Sequence, residues 1–288
     1  MSKLLIKIWD VEHGLAVYIK TPNGRNIVYD LGKGSYKDGS EFSPLNHIKN
    51  YYGVDKIDYL FISHPHKDHI EDIVNLDIIP DVVVRPKWLD SEIDFSKISN
   101  NDKKIFEKYL KFNITHDTDV EYSEDIIENH SYWGGVKFSY FFTDTCPKTN
   151  LNNHSIILII EYEKTKIILT GDNEKCSFNE LLKDKEFKKV ISNADVLLAP
   201  HHGRESAYHE EFLKEVLPCL VVISDKSVGD TSVTDKYRNR IFDLWNCIDV
   251  YDKRKEKYIE KKRKVLTTRK DGVITIEVDD RLGLQVNI

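Results

Sequence analysis

The chain has 288 residues, 40% hydrophobic and 31% charged, which is enough for one large domain or two small ones with a substantial core. Its formal charge of −6 argues against a protein that coats duplex nucleic acid by bulk electrostatics. No run approaches the ~18 consecutive apolar residues of a membrane helix, and "MSKLLIKIWDVEHG" lacks the long apolar stretch of a secretory leader. The four cysteines (Cys146, Cys176, Cys219, Cys247) form no C-x-x-C pair, which favours reduced, buried thiols, a cytoplasmic location and no membrane partner.

Strand-like runs open the chain: "LLIKIWDV", "LAVYIKT" and "NIVYDLG", with "PNG" at 22–24 as the turn between the last two. A helical stretch around 43–51 is followed by "IDYLFIS" (57–63), a buried strand, and "IEDIVNL" (70–76) has the pattern of the first turns of a helix. The acidic, polar section from about 90 to 130, with a helical pattern in "KKIFEKYLKF", is expected to be an insertion or lid within a single domain. "VKFSYFF", "SIILIIEY" and "KIILT" are strands, the last two joined by a tight turn. "DVLLA" and "CLVVIS" are further buried strands with helices around them. The closing "KVLTTRKDGVITIEV" is expected to be a hairpin turning at "DG". Such alternation predicts a layered α/β protein. Residues 251–270 hold ten Lys or Arg against three acids, which suits either a solvated, helix-like surface or a basic strip guiding a polyanion.

The chemistry concentrates in "FISHPHKDHIED". His64, His66, Asp68 and His69 follow an apolar strand, and three imidazoles with a carboxylate on one turn suit zinc or a similar divalent ion. The H-x-H spacing on extended backbone points both rings to one side, while Asp68 and His69 approach as the chain turns into a helix. Asp172, after Gly171 at another strand end, reads on its own first as turn chemistry. "LLAPHHGRES" places His201 and His202 after a further buried strand, where Gly203 permits close backbone approach. Three strand ends on one sheet edge would converge, as a metal site requires.

H-x-H-x-D-H after a strand, followed later by L-T-G-D, resembles the signature of the metallo-β-lactamase-fold hydrolases. The narrower likeness is to the hydrolase domain of ComEC-type DNA-uptake proteins and their soluble relatives. It rests on "WDVEHGLAVYIKTPNGRNIVYDLG", "NNHSIILIIEYEKTKIILTGD", "ADVLLAPHHGRES", "LPCLVVIS" and "VLTTRKDGVITIEV". The resemblance implies a four-layer αββα sandwich and a centre of two divalent ions, zinc first and manganese as the alternative. His64 and His66 would hold one ion and Asp68 and His69 the second; Asp172 would bridge them and Asp30 would orient a ligand. The chain departs from the wider pattern at "NNHS", where either His154 substitutes for a missing histidine beside Asn152 or the first ion is held less tightly. Ser224 stands where a further histidine is common, so His201 or His202 would complete the site or serve as general acid. Asp68, His201 and His202 are therefore the catalytic candidates, and Arg204, Ser206 and Lys226 the candidates for holding a phosphate.

The function expected is metal-dependent hydrolysis, foremost by a phosphodiesterase or nuclease acting on nucleic acid or oligonucleotides. The alternatives are a hydrolase of another ester or amide, such as a lactone or β-lactam, or of cyclic signalling nucleotides, and a non-catalytic binding module with a degenerate metal site.

Overall fold

The computed structural model describes residues 3–118, 127–226, 232–241, 248–259 and 263–288. Its first strands are β1 (Lys3–Ile8), β2 (Ala16–Lys20) and β3 (Asn26–Leu31), with a small ribbon of β4 (Gly34–Ser35) and β5 (Glu41–Phe42) after them. Next come β6 (Tyr59–Phe61), β7 (Val82–Val84), β8 (Lys137–Phe141), β9 (Ile157–Tyr162), β10 (Thr165–Leu169), β11 (Val196–Leu198) and β12 (Leu220–Ile223). The chain finishes with β13 (Val250–Asp252), β14 (Lys257–Tyr258), β15 (Val265–Thr267), β16 (Ile274–Asp279) and β17 (Gly283–Asn287). They form a nine-stranded sheet in the order β14-β13-β17-β16-β1-β2-β3-β6-β7 and a six-stranded sheet in the order β15-β12-β11-β10-β9-β8.

Strands read as unbroken apolar runs because both faces of each sheet are covered. In β9, Leu158 and Ile160 point into the core between the sheets, while Ile157 and Ile159 point outward onto Phe178, Phe187 and Phe212 of the helices beyond. In β2, Val17 and Ile19 face the central core, and Ala16 and Tyr18 face the outer helices. The outcome is the αββα sandwich expected from the sequence. The helix Lys103–Thr115 buries Ile105, Phe106 and Tyr109 in the outer layer on the large sheet, so this part of the 90–130 stretch is built into the core; residues 119–126 lie outside the described residues.

Four expectations need correction. The closing segment is no hairpin at "DG". β15 lies parallel to β12 in the small sheet, and a short helix, Thr268–Asp271, carries the chain across to β16 in the large one. Asp271 fixes this crossing by accepting from Thr267 N (2.8 Å) and from Arg263, and the true closing hairpin is β16–β17. The basic stretch is not a helical surface over 251–259: Val250–Asp252 and Lys257–Tyr258 pair around a turn whose Lys255 and Arg254 are drawn to Asp252. Residues 260–262 lie outside the described residues. Cys146 and Cys176 are joined in a disulfide rather than reduced, because the fold sets their Cα atoms 6.1 Å apart. Lastly, Glu71–Asn75 is a 3₁₀ turn, because Asp72 is pulled sideways to Ser43 Oγ and Leu45 N (2.9 Å each).

That Asp72 carboxylate is fully buried, and burial lifts its pKa to about 6 against the opposing pull of Asn75, Leu45 and Ser43. Since an acid with a raised folded-state pKa binds its proton more tightly when folded, its contribution to stability is present below pH ~4 and is lost as pH rises through ~6. Asp72→Asn, with the Asn75 amide turned over, should remove this slope. Urea unfolding of wild type and variant at pH 4.5 and 7 should then diverge with rising pH in the variant's favour; parallel curves would refute the assignment.

Candidate metal centre

The site lies where strand ends of both sheets meet. From the large sheet, the chain leaving β6 runs extended through His64 to His66, and Asp68 and His69 occupy the helical turn Lys67–Ile70. The H-x-H rings do share one side: His64 Nε2 is 2.9 Å from His66 Nδ1. Backbone packing fixes this turn. Leu15 N donates to Asp68 O, and a Cβ on Gly14 would come within 2.6 Å of that carbonyl, so only glycine fits. Asp30, at the end of β3 with φ of 58°, accepts from Ser63 N (2.6 Å), Ser63 Oγ (2.7 Å) and His69 Nδ1 (2.7 Å). Nδ1 of His69 is thereby committed, and Nε2 faces inward.

The small sheet contributes the remaining residues. Asp172 follows Gly171 (φ 54°), where a Cβ would meet the side chains of Ser155 and Ser63 at 2.8 Å, and its main-chain N–H donates to Ser155 Oγ. His201 and His202 both adopt left-handed backbone, with φ of 46° and 53°. Such strain costs of order 1–3 kcal/mol per residue and is held by surrounding bonds. His202 Nδ1 donates to Ser224 O (3.0 Å), and His201 Nδ1 to Glu174 Oε1 (2.8 Å). Ser224, standing where a further histidine was expected, thus serves through its carbonyl to aim His202 inward.

Asp68, His69, Asp172 and His202 bring one potential ligand atom each to within 4.8 Å of one another. His69 Nε2 is 3.2 Å from Asp172 Oδ1, and His202 Nε2 is 3.3 Å from Asp68 Oδ2 and 3.5 Å from Asp172 Oδ2. Both imidazole Nε2 atoms are buried and make no well-aligned hydrogen bond. Two buried imidazole nitrogens without a hydrogen-bond partner among the described residues, facing two carboxylates, are a donor set that suits a divalent cation, so these residues fit one. Burial opposes charge on both acids, yet the neighbouring imidazoles, His69 foremost, hold Asp68 and Asp172 below the usual carboxylate range. Burial lowers His64 well below the ordinary imidazole value, with His69 and His66 adding to the effect. His69 is instead raised well above it, because Asp172, Asp30 and Asp68 outweigh its burial.

Other sequence candidates fall outside the cluster. His64 Nε2 approaches Asp172 Oδ2 only to 4.0 Å. His154 lies outside the four-residue cluster: its Nδ1 is bound to Thr143 O (3.0 Å) beside Trp88, and its buried Nε2 has no hydrogen-bond partner among the described residues. Asn152 is buried in the 3₁₀ turn Leu151–His154, with its side-chain oxygen unpartnered and outside the cluster. Ser206 Oγ is spent on Glu174 Oε1 (2.8 Å), and Lys226 is exposed at the border of residues 227–231, which lie outside the described residues.

Two residues at the site escaped sequence reasoning. His13, in the β1–β2 loop, lies 3.8 Å from Asp68 and 4.5 Å ring to ring from His202, and burial beside His202 lowers its pKa to about 4. Glu174 gathers Asn150 Nδ2 (2.7 Å), Ser206 Oγ and His201. A lone histidine before a glycine and an acid in a turn gave no periodic signal. Arg204 stands over the mouth, with one guanidinium nitrogen 2.9 Å from His13 Nε2 and the other 3.5 Å from His201 Nε2.

An αββα sandwich with a buried Asp/His cluster at the junction of its sheets defines a metal-binding hydrolase scaffold. The family model of the metallo-beta-lactamase superfamily matches residues 9–218, and the chain belongs to that superfamily. It is similar to recombination protein 2 of Haemophilus influenzae, 28% identical over 217 residues, which are 75% of this chain and 23% of that protein. It is also similar to the ComE operon protein 3 of Bacillus subtilis, 27% identical over 177 residues, 60% of this chain and 20% of that one. The chain thus spans about a quarter of the length of these relatives or less. Among solved structures, the metallo-beta-lactamase fold protein YhfI of Bacillus subtilis aligns over 94% of this chain and 99% of its own, with 14% identity and a TM-score of 0.47.

Proposed function

We propose that the chain is a metal-dependent phosphodiesterase acting on nucleic acid or oligonucleotides. The observation that carries this reading is Arg204, whose guanidinium forms no ion pair among the described residues and is held only by two imidazole nitrogens at the mouth of the cluster. An arginine without a counter-ion, beside carboxylates that a cation would neutralise, suits a phosphoryl oxygen through charge-assisted bonds. The Haemophilus relative is named for recombination, which accords with a nucleic-acid substrate.

Asp68, His69, Asp172 and His202 would hold one ion, and His64 with His66 would lean a second, weaker one on Asp172. Divalent ions at such a site supply Lewis acidity toward phosphoryl oxygens and lower the pKa of water. The chain's own residues then orient: Asp30 sets His69, the Ser224 carbonyl sets His202, and Glu174 sets His201 with Nε2 toward Asp172 Oδ2 (3.7 Å). Arg204 draws the substrate anion against this cluster.

The test is a screen of single-stranded DNA, RNA and cyclic dinucleotides with zinc or manganese, each with and without chelator, beside a lactone and a β-lactam. Chelator-sensitive cleavage of phosphodiesters is expected, and Arg204→Ala should lower kcat/KM on them by about 10²–10³-fold, the usual loss for one charge-stabilising donor. Turnover of the lactone or β-lactam with inert nucleotides would overturn the reading.

A further inference from the structure

On the other flank of the His64–His69 turn in strand order lies an aromatic pair that plays no part in holding the cluster. Trp88 follows β7, the edge strand of the large sheet, and Phe142 follows β8, the edge strand of the small one. Their ring centroids are 4.8 Å apart at 33°, so together they span the two layers. Parallel register sets Phe61 beside Val84, and three residues beyond each stand His64 and Lys87, which puts Trp88 at the same sheet end as the cluster. Trp88 Nε1 is 3.4 Å from His154 Nδ1, and the next residue, Ser155, accepts from Asp172 N. Phe142 is 41% exposed and its neighbour Tyr140 38%, a large apolar area to leave in water at the rim of a polar site. Lys148 Nζ donates to the main-chain carbonyl of Trp88 (3.4 Å), and its carboxylate neighbour Glu92 is 3.9 Å away, so a cation borders the rings.

We propose that Trp88 and Phe142 form a stacking platform for an unpaired base of a single-stranded oligonucleotide, at the same sheet end as the Asp/His cluster. Lys148 meets the backbone of that nucleotide. This rests on the phosphodiesterase reading and deepens it. An aromatic face accepts any base but needs it unpaired, so the site favours single strands without reading their sequence.

Binding of a fluorescently labelled eight-nucleotide single strand to the full chain, compared with the same strand carrying abasic positions, tests the platform. Phe142→Ala, at an exposed position, is expected to weaken binding of the base-bearing strand about tenfold or more and to leave the abasic strand unchanged. Trp88→Phe, which keeps a ring, should lose less than Trp88→Ala. Equal affinity for both strands in the wild type, or equal losses on both in Phe142→Ala, overturns the platform. Base-dependent binding without cleavage of any phosphodiester would sink the enzymatic reading and spare the platform. Cleavage with base-independent binding would do the reverse.

Discussion

Replacing Asp172 by asparagine is expected to empty the cluster of its cation and to lower phosphodiester turnover by on the order of 10³-fold, with the fold intact. Asp172 is the residue on which the site converges: its carboxylate lies within 4.0 Å of the imidazoles of His64, His69, His201 and His202. An asparagine keeps the volume and leaves the main-chain bond to Ser155 Oγ untouched, but it removes the negative charge that a divalent ion needs. Elemental analysis and single-substrate kinetics on the same preparation would show it. His66→Ala should act more mildly on metal content, since His66 leans on His64 and stands outside the four-residue cluster. If Asp172→Asn retained its metal or its full rate, the cluster would not be the reaction centre.

Reduction of the Cys146–Cys176 bridge is expected to cost about 3–4 kcal/mol, the chain-entropy value for a closed loop of this size, and to lower the melting temperature by roughly 6 °C. The bridge spans 30 positions and pins the loop after β8 to the helix Lys175–Leu181, which starts three residues after Asp172. Around it, Asn150 Nδ2 donates to Glu174 Oε2 and Ser177 N donates to Asn153 Oδ1. Loosening that loop therefore reaches Glu174, His201 and the Asp172 turn, and activity should fall with stability. Melting curves with and without dithiothreitol, against a Cys146→Ser/Cys176→Ser variant insensitive to it, would read the effect. Identical wild-type curves under both conditions, or peptide mapping that finds both thiols free, would refute it.

Much of the architecture was legible because both faces of each sheet are covered. β9 and β12 read as apolar runs, and turn residues closed them near the observed ends. The cluster was legible wherever ligands share a local motif: His64, His66, Asp68 and His69 lie on one turn, and Asp172 follows a strand. What escaped was set by tertiary contacts. Nothing local marks Asp271 as the residue that turns β15 away from a hairpin. Nor does spacing reveal that Cys146 and Cys176 would meet, or that His13 would reach Asp68 from a loop more than fifty residues earlier. His154 could be read either as a ligand or as a residue packed at a strand start, and its Nδ1 is turned to Thr143 and Trp88, a contact that no local pattern marks.

The cluster is divided between layers, with Asp68 and His69 on the large-sheet side, backed by Asp30, and Asp172 and His202 on the small-sheet side. Near it the sheets are stitched by Ile156 N to Ser63 O (3.1 Å) and Tyr29 Oη–H to Ile156 O (2.7 Å). With Asp68 and Asp172 facing each other across this seam, a cation shared between them would act as a rivet through the laminate. At a hundred times its dissociation constant it would add about 2.7 kcal/mol against delamination. Loading the site would thus clamp the two halves of the molecule together.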